Sequence, residues 1–301
     1  MMVSIAITTF NQEAYIQKAL DSMLAQQVSF DLEIVISDDL STDTTRAIIR
    51  KFQEMYPRLV KDVSPESNIG MTENFNRVLG KCSGEYIALC DGDDYWTDSQ
   101  KLQKQIDFMQ NNPTYSFCCH GYSYVNEIEQ IDDSPFVELT TKFKTGFDIT
   151  LLNFFNKWVT KSLTVVFRSE SIALPIRKYE KVYDMVLFVE LLLTGNARWM
   201  NFNGGNYRIH RNNYWNSLSQ LNKYKKEYYT FVEFYRNHPK NRIFLKGLLR
   251  SNVYVLRELW KHRSSNFFLK ETIKFTFLFI KNIFGKKNSF FLFVSYLKKS
   301  V

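Results

Sequence analysis

Short apolar runs rich in β-branched residues alternate with amphipathic segments through the first 110 residues, and this rhythm restricts the fold more than any other feature. Val3–Thr9 reads as a buried strand. Tyr15, Ile16, Ala19, Leu20, Met23 and Leu24 then recur at helical spacing and make one apolar face. Leu32–Ser37 reads as a second strand. Ser41-Thr42-Asp43 supplies hydroxyl and carboxylate caps for a helix running to Tyr56. A strand at Leu59–Val63, a helix at Thr72–Cys82, a strand at Tyr86–Cys90 and a helix at Ser99–Gln110 continue the series. Alternation at this pitch predicts an α/β fold with a mainly parallel sheet and helices on both faces.

After Pro113 the rhythm changes. Tyr115–Val125 and Leu163–Arg168 read as strands, with a polar, loop-like stretch between them. Asp184–Thr194 reads as a helix, and Ala197–Phe202 and Asn206–Ile209 as short strands. From about Leu218 onward the pattern is almost wholly helical. The chain thus divides into an α/β half at 1–112, a second half of the same domain at 113–217 and a helical extension at 218–301.

Composition removes several classes. With 45% hydrophobic and 23% charged residues in 301, the chain can bury a core and is not disordered. Cys82, Cys90, Cys118 and Cys119 form no CxxC pair, so reduced thiols are expected rather than a zinc knuckle or redox site. The opening MMVSIAITTF has no basic stretch ahead of an apolar one, so no secretory signal is expected. The uncharged run Asn288–Leu297 is far shorter than the about 18 residues that a spanning helix needs. The net charge of +8 hides an asymmetry: residues 220–301 carry 18 Lys+Arg against 4 Asp+Glu, whereas residues 1–219 carry 21 against 27. The tail's basic residues alternate with Phe and Leu, which points away from nucleic acid.

Three polar or acidic clusters end three of the expected strands: Thr8-Thr9-Phe10-Asn11, Asp38-Asp39 and Asp91-Gly92-Asp93-Asp94. Ligands of open α/β sheets bind at the carboxyl ends of strands, so the clusters should converge on one crevice. Three carboxylates within four residues repel one another unless a cation neutralises them, and hard oxygen ligands suit Mg²⁺ or Mn²⁺ on a diphosphate. The competing reading is a solvated turn capping the following helix. Phe10 could stack a base and Asp39 accept its ring N–H, or each could serve only as a core aromatic and a cap. No GxGxxG, P-loop, GxSxG or HExxH pattern is present. His210 lies in Tyr207-Arg208-Ile209-His210-Arg211, a group of donors suited to phosphate.

ITTFNQEAYIQKALDSMLAQ, VISDDLSTDTT, NIG at 68–70 and GEYIALCDGDDYW, in that order, resemble the family 2 glycosyltransferases of GT-A fold. YDMVLFVELLLTGNARWM and YRIHRNNYW are similar to the acceptor-side segment of bacterial capsule and O-antigen enzymes, so the resemblance covers residues 2–217. It implies that Thr8, Phe10 and Asp39 hold the nucleotide base, usually uracil. It implies that Asp91 and Asp93 are the outer acids of a DxD motif, with Asp91 at the ribose and Asp93 on the metal, and that Asp94 joins the metal and diphosphate shell. Asp184 matches the position of the catalytic base, in a segment reading KVYD without the Gly or Glu often found there. His210 matches a residue that closes over the metal or diphosphate in several members. A carboxylate at a helix N-terminus stays charged, as a base must.

The expected activity is inverting, Mn²⁺- or Mg²⁺-dependent transfer of a sugar from a UDP-linked donor to a glycan or lipid-linked acceptor during surface polysaccharide synthesis. Lysines beside bulky aromatics in residues 264–301 suit the interface of an anionic bilayer, with packing on the body or on another chain as the competing reading. Peripheral attachment to the inner face of a bacterial cytoplasmic membrane follows from the resemblance. Two rivals stand beside this reading. A sugar-nucleotide pyrophosphorylase would want a Gly-rich basic loop where ITTFNQEAY stands. A non-catalytic membrane scaffold of the same fold would have no need of DGDD.

Overall fold

The computed structural model describes residues 2–132, 134–155, 159–174, 176–181, 183–211 and 214–261, together with 271–273, 275, 276 and 279. Two compact units divide the chain, residues 1–210 and 211–301.

The first unit opens with β1 (Met2–Thr9), α1 (Ile16–Leu24), β2 (Asp31–Asp38), α2 (Thr45–Met55), β3 (Val60–Asp62), α3 (Met71–Leu79) and β4 (Tyr86–Asp91). It continues through β5 (Tyr95–Trp96), α4 (Lys101–Asn111), β6 (Tyr115–Val125), β7 (Ile131–Asp132), α5 (Ser134–Lys142), β8 (Phe147–Ile149) and α6 (Leu151–Phe154). It closes with β9 (Val166–Arg168), α7 (Asp184–Thr194) and β10 (Asn196–Arg208). The strands form one sheet in the order β3-β2-β1-β4-β9-β6-β10-β5, with β7 on β6 and β8 on β10.

The longest pairings are parallel: β1 with β2, β1 with β4, and β6 with β10. Antiparallel β9 separates β4 from β6, so the two parallel halves meet across a three-residue strand. The buried runs foreseen for β1, β2 and β4 carry the core, where Val3, Ile5, Ile7, Ile34, Ile36, Ala88 and Cys90 pack with Ile16, Leu20 and Met23 of α1. Strands buried on both faces read as continuous apolar runs, which is why this half was legible.

Several boundaries differ from the expectations. The two short strands expected at 197–209 are one strand, β10, irregular between Met200 and Gly205, where Asn203 and Gly204 mimic a turn in the sequence. The stretch expected as a strand from Leu163 begins with a 3₁₀ turn at Ser162–Thr164. The polar stretch after β6 contains α5 and α6. Asp43 does stabilise the start of α2, its carboxylate accepting from the Thr45 N–H at 3.0 Å and the Glu13 N–H at 3.1 Å. All four cysteines are free thiols, and burial pushes Cys82 and Cys118 up to about 12, so neither is reactive near neutral pH.

The second unit contains α8 (Tyr214–Ser217), α9 (Gln220–Asn237) and α10 (Arg242–Trp260). Ser219 caps α9 and Asn241 caps α10. Phe234 stacks on Phe244 at 5.1 Å, and Gly247 lies so close to Phe231 that an added Cβ would fall 2.0 Å from its ring. Phe275 is buried against Tyr228, with ring centroids 5.4 Å apart, and Phe279 is buried as well. These two rings, expected on a bilayer-facing surface, therefore do not face solvent. Most of 264–301 lies outside the described residues. No described helix is long and apolar enough to cross a membrane.

Candidate functional site

The carboxyl ends of β1, β2 and β4 lie side by side, with Thr8 opposite Ser37 and Asp91 in register. Their loops are stitched together by polar groups rather than by apolar packing. Asn11, held at φ 52°, donates its N–H to Ser41 Oγ at 2.8 Å and accepts from the Thr42 N–H at 2.8 Å. The Gln12 N–H donates to Thr45 Oγ1 at 2.8 Å. Asp39 accepts from the Ile69 N–H at 2.7 Å and the Gly70 N–H at 2.9 Å, while Asn68 donates to its carbonyl oxygen at 2.9 Å. The NIG segment thus grips Asp39, and Asp39 in turn fixes the loop before α3. Phe10 stands at this rim with 47% of its surface exposed, as an aromatic ring without a core role would.

At the end of β4 the acidic turn is drawn tight. The Gly92 N–H donates to the Thr8 carbonyl and the Asp94 N–H to the Asp91 carbonyl, each at 3.1 Å. A Cβ on Gly92 would lie 2.5 Å from Gln12 Oε1 and 2.9 Å from both Ile16 Cδ1 and Thr9 Oγ1, so a larger residue there must push these side chains aside. Thr8 Oγ1 donates to Asp91 Oδ1 at 3.1 Å. Asp93 Oδ2 faces His210 Nε2 at 2.9 Å. Asp94 Oδ1 accepts the Arg208 N–H at 2.8 Å, while its buried Oδ2 has no hydrogen-bond partner.

Burial, followed by the charges of Asp93 and Asp184, raises the Asp91 carboxyl to about 7, against hydrogen bonds from Thr8 and Ser162 that favour its charged form. Asp94 is raised well above the usual range by burial and by Asp93 and Asp91. Asp184, the first residue of α7, accepts the Met185 N–H at 2.7 Å and is close enough to Asp91 to raise it. The candidate residues therefore gather in three groups. Thr8 and Asp91 touch, Asp93 and His210 touch, and Asp94 and Asp184 share the electrostatic field of Asp91. Asp39 and Phe10 belong to the neighbouring strand-end loops.

Arg208, whose motif suggested a phosphate donor, instead points inward with only 2% of its side chain exposed. Its Nε donates to the Asp93 carbonyl at 3.0 Å and its Nη1 pairs with Glu129 at 2.8 Å. Three residues at the site carry no sequence signal: Glu129 on Arg208, Ser162 bonding to Asp91, and Lys161, whose charge favours the ionised form of Asp94. Their partners lie far away in sequence, and no local pattern marks them.

Among the described residues no group of three or more His, Cys, Asp and Glu side chains is arranged to hold a metal ion. The donor set nonetheless fits a divalent cation whose remaining ligands come from a diphosphate or water. Asp93 and His210 offer an oxygen and a nitrogen to one space, and Asp94 Oδ2, in the same turn, is buried without a hydrogen-bond partner.

The profile of Glycosyl transferase family 2 matches residues 4–182. The uncharacterized protein Rv1520 of Mycobacterium tuberculosis is 34% identical over 215 residues, covering 71% of this chain and 61% of that protein, so the chain spans about three fifths of that relative. TuaG of Bacillus subtilis, named for teichuronic acid biosynthesis, is 28% identical over 239 residues, 79% of this chain and 90% of its own. The crystal structure of S. aureus TarS 1-349 in complex with UDP-GlcNAc superposes with a TM-score of 0.67 at 21% identity, covering 94% of this chain and 81% of that one. The mannosyltransferase PcManGT from Pyrobaculum calidifontis, in complex with GDP-Man and Mn2+, gives 0.56 at 16% identity, covering 95% and 88%. Its α/β sheet is thus of GT-A type, and with the profile spanning more than half its length, the chain belongs to glycosyl transferase family 2.

Proposed function

We propose that this chain transfers a sugar, with inversion, from a UDP-linked donor to a glycan or lipid-linked acceptor in bacterial surface polysaccharide synthesis. The observation that carries the reading is electrostatic: Asp184 at the start of α7 and the acidic turn after β4 are close enough to raise Asp91 together. A donor-side acid cluster and an acceptor-side acid in one crevice are what an inverting transfer requires. TarS in complex with UDP-GlcNAc and PcManGT in complex with GDP-Man support a nucleotide-sugar donor on this fold.

Phe10 stacks on the base and Asp39 accepts its ring N–H through a free lone pair. Asp91, held by Thr8, turns toward the ribose. Asp93 and His210 would hold a Mn²⁺ or Mg²⁺ ion, with Asp94 from the same turn joining the metal and diphosphate shell. When bound, the cation neutralises charge on the departing diphosphate. Asp184 accepts the proton of the acceptor hydroxyl as its oxygen attacks the anomeric carbon and the bond from that carbon to the phosphate oxygen breaks. A cation there would offset the neighbouring carboxylates and favour the charged form of Asp91, which burial and Asp93 otherwise disfavour. For residues 264–301 we keep the anionic membrane surface as partner. The basic excess of residues 220–301 and the exposed Trp215, between Lys223 and Lys226 at 5.8 Å each, support it.

Asp184→Asn tests the assignment of the base. It keeps the shape and removes the proton acceptor, so transfer should fall about 10²–10⁴-fold while binding of the donor is retained. Equal loss of donor affinity and turnover would make Asp184 a helix cap and nothing more.

A further inference from the structure

Asp91, Asp93 and Asp94 crowd three carboxylates into one turn, and a turn of that kind must be held in shape before any ligand neutralises it. Arg208 is the buried side chain that ties this turn to the end of β10. Its own N–H is bonded to Asp94, its Nε to the Asp93 carbonyl at 3.0 Å, and its guanidinium lies 4.7 Å from the Tyr15 ring and 5.4 Å from the Tyr95 ring. Tyr15 in turn packs on His210 with ring centroids 4.8 Å apart. A buried guanidinium needs a counter-charge, and Glu129 supplies it from outside, Oε1 to Arg208 Nη1 at 2.8 Å.

Glu129 is an unusual residue for a surface turn. It sits at φ 62°, a conformation that side chains other than Gly rarely adopt. The Asn126 side chain holds that turn, accepting from the Ile128 and Gln130 N–H groups. The second oxygen of Glu129 accepts from Lys18 at 2.6 Å and from the Tyr95 hydroxyl at 3.0 Å. Although burial alone would raise it, these bonds and the one from Arg208 hold its carboxyl at about 2. The turn between β6 and β7 is thereby tied by one carboxylate to α1, to β5 directly after the acidic turn and to the end of β10.

We propose that Glu129 is a positioning residue: by pinning Arg208 it holds Asp93 and Asp94 in the arrangement that receives a divalent cation and a nucleoside diphosphate. The ligand part of this inference rests on the function proposed above, whereas the positioning part does not. It acts through the main chain of the acidic turn and touches no substrate.

The test is amide hydrogen exchange across Gly92–Trp96 in the full chain, compared among wild type, Glu129→Gln, Lys18→Met, Arg208→Lys and the Glu129→Gln/Arg208→Lys double variant. Glu129→Gln should speed exchange there by about tenfold or more while β1 and β2 stay protected. Lys18→Met should leave it unchanged, and in the Arg208→Lys background Glu129→Gln should add little. Unchanged exchange in Glu129→Gln, an equal effect from Lys18→Met, or full additivity with Arg208→Lys would overturn the proposal. A second arm titrates Mn²⁺ with UDP, GDP or dTDP by calorimetry. Glu129→Gln should lose about tenfold of the metal-dependent gain in affinity and keep the metal-free affinity. A wild-type chain that binds none of these would sink the donor reading, and the exchange arm would still decide the role of Glu129.

Discussion

Lys101 shows how far a single buried charge can depart from its ordinary behaviour. It lies fully buried on α4, its Nζ 3.8 Å from the Trp96 ring centroid and without a hydrogen-bond partner, and burial lowers it from 10.5 to about 7. Below pH 7 the lysine is charged in both the folded and unfolded chain, so the full cost of burying the charge is felt. Between pH 7 and 10.5 the folded chain binds fewer protons than the unfolded one, so stability rises with pH over that window. Lys101→Met keeps the length of the side chain and removes the charge. It should stabilise by about 1–3 kcal/mol at pH 6, with the gain shrinking toward pH 10. Urea denaturation at the two pH values checks this, and a gain independent of pH would show that Lys101 is already neutral. The same scale explains what was legible. Acids at strand ends stand out because three in four residues is a local pattern. The Glu129–Arg208 pair is invisible because nothing in either segment announces the other.

At the scale of elements, the β4–Gly92–β5 turn decides whether the acids point into the crevice. Gly92→Ala would drive its Cβ into the side chains of Gln12 in the loop, Thr9 at the end of β1 and Ile16 of α1. Overpacking of this kind costs about 1–3 kcal/mol, and it should also displace Asp91 and Asp93. Denaturation together with a Mn²⁺–UDP titration would show both losses. A variant as stable and as tight-binding as wild type would mean that the turn can yield at no cost. The first half of the sheet could be read from sequence because buried parallel strands separated by amphipathic helices give a period with no competing explanation. For β9 and β10 the strands could be read but not their extents. A three-residue antiparallel strand gains its place from neighbours on both sides, and the irregular stretch of β10 carries turn residues inside a strand.

On the scale of the whole molecule, charge separates the tail from the body. Residues 264–301 hold seven lysines against Glu271, on a chain whose first 219 residues are net acidic. A chain truncated before residue 264 should keep its first unit folded and bind donor, because every proposed site residue lies in residues 1–210. It should also leave the membrane fraction, and binding of the full chain to anionic vesicles should weaken with salt, each lysine near the surface being worth about 1 kcal/mol. Burial of Phe275 against Tyr228 favours removing the tail from residue 280 in a second variant, so that a packed ring is not confused with a lipid-facing one. Aggregated truncations, together with no vesicle binding by the full chain, would make the tail part of the fold.

The proposed function requires the crevice after β1, β2 and β4 to bind a nucleotide sugar through a cation held at Asp93. A thermal-shift panel of UDP-, GDP- and dTDP-sugars with and without Mn²⁺, run on wild type and Asp93→Ala, tests it most directly. A donor at about one hundred times its Kd adds about 2.7 kcal/mol, which raises Tm by about 5 °C or more for a domain of this size. One nucleotide class should give that rise with Mn²⁺ and a much smaller one without it, and Asp93→Ala should abolish the difference while remaining folded. No shift with any donor, or an Asp93→Ala response identical to wild type, would contradict the account.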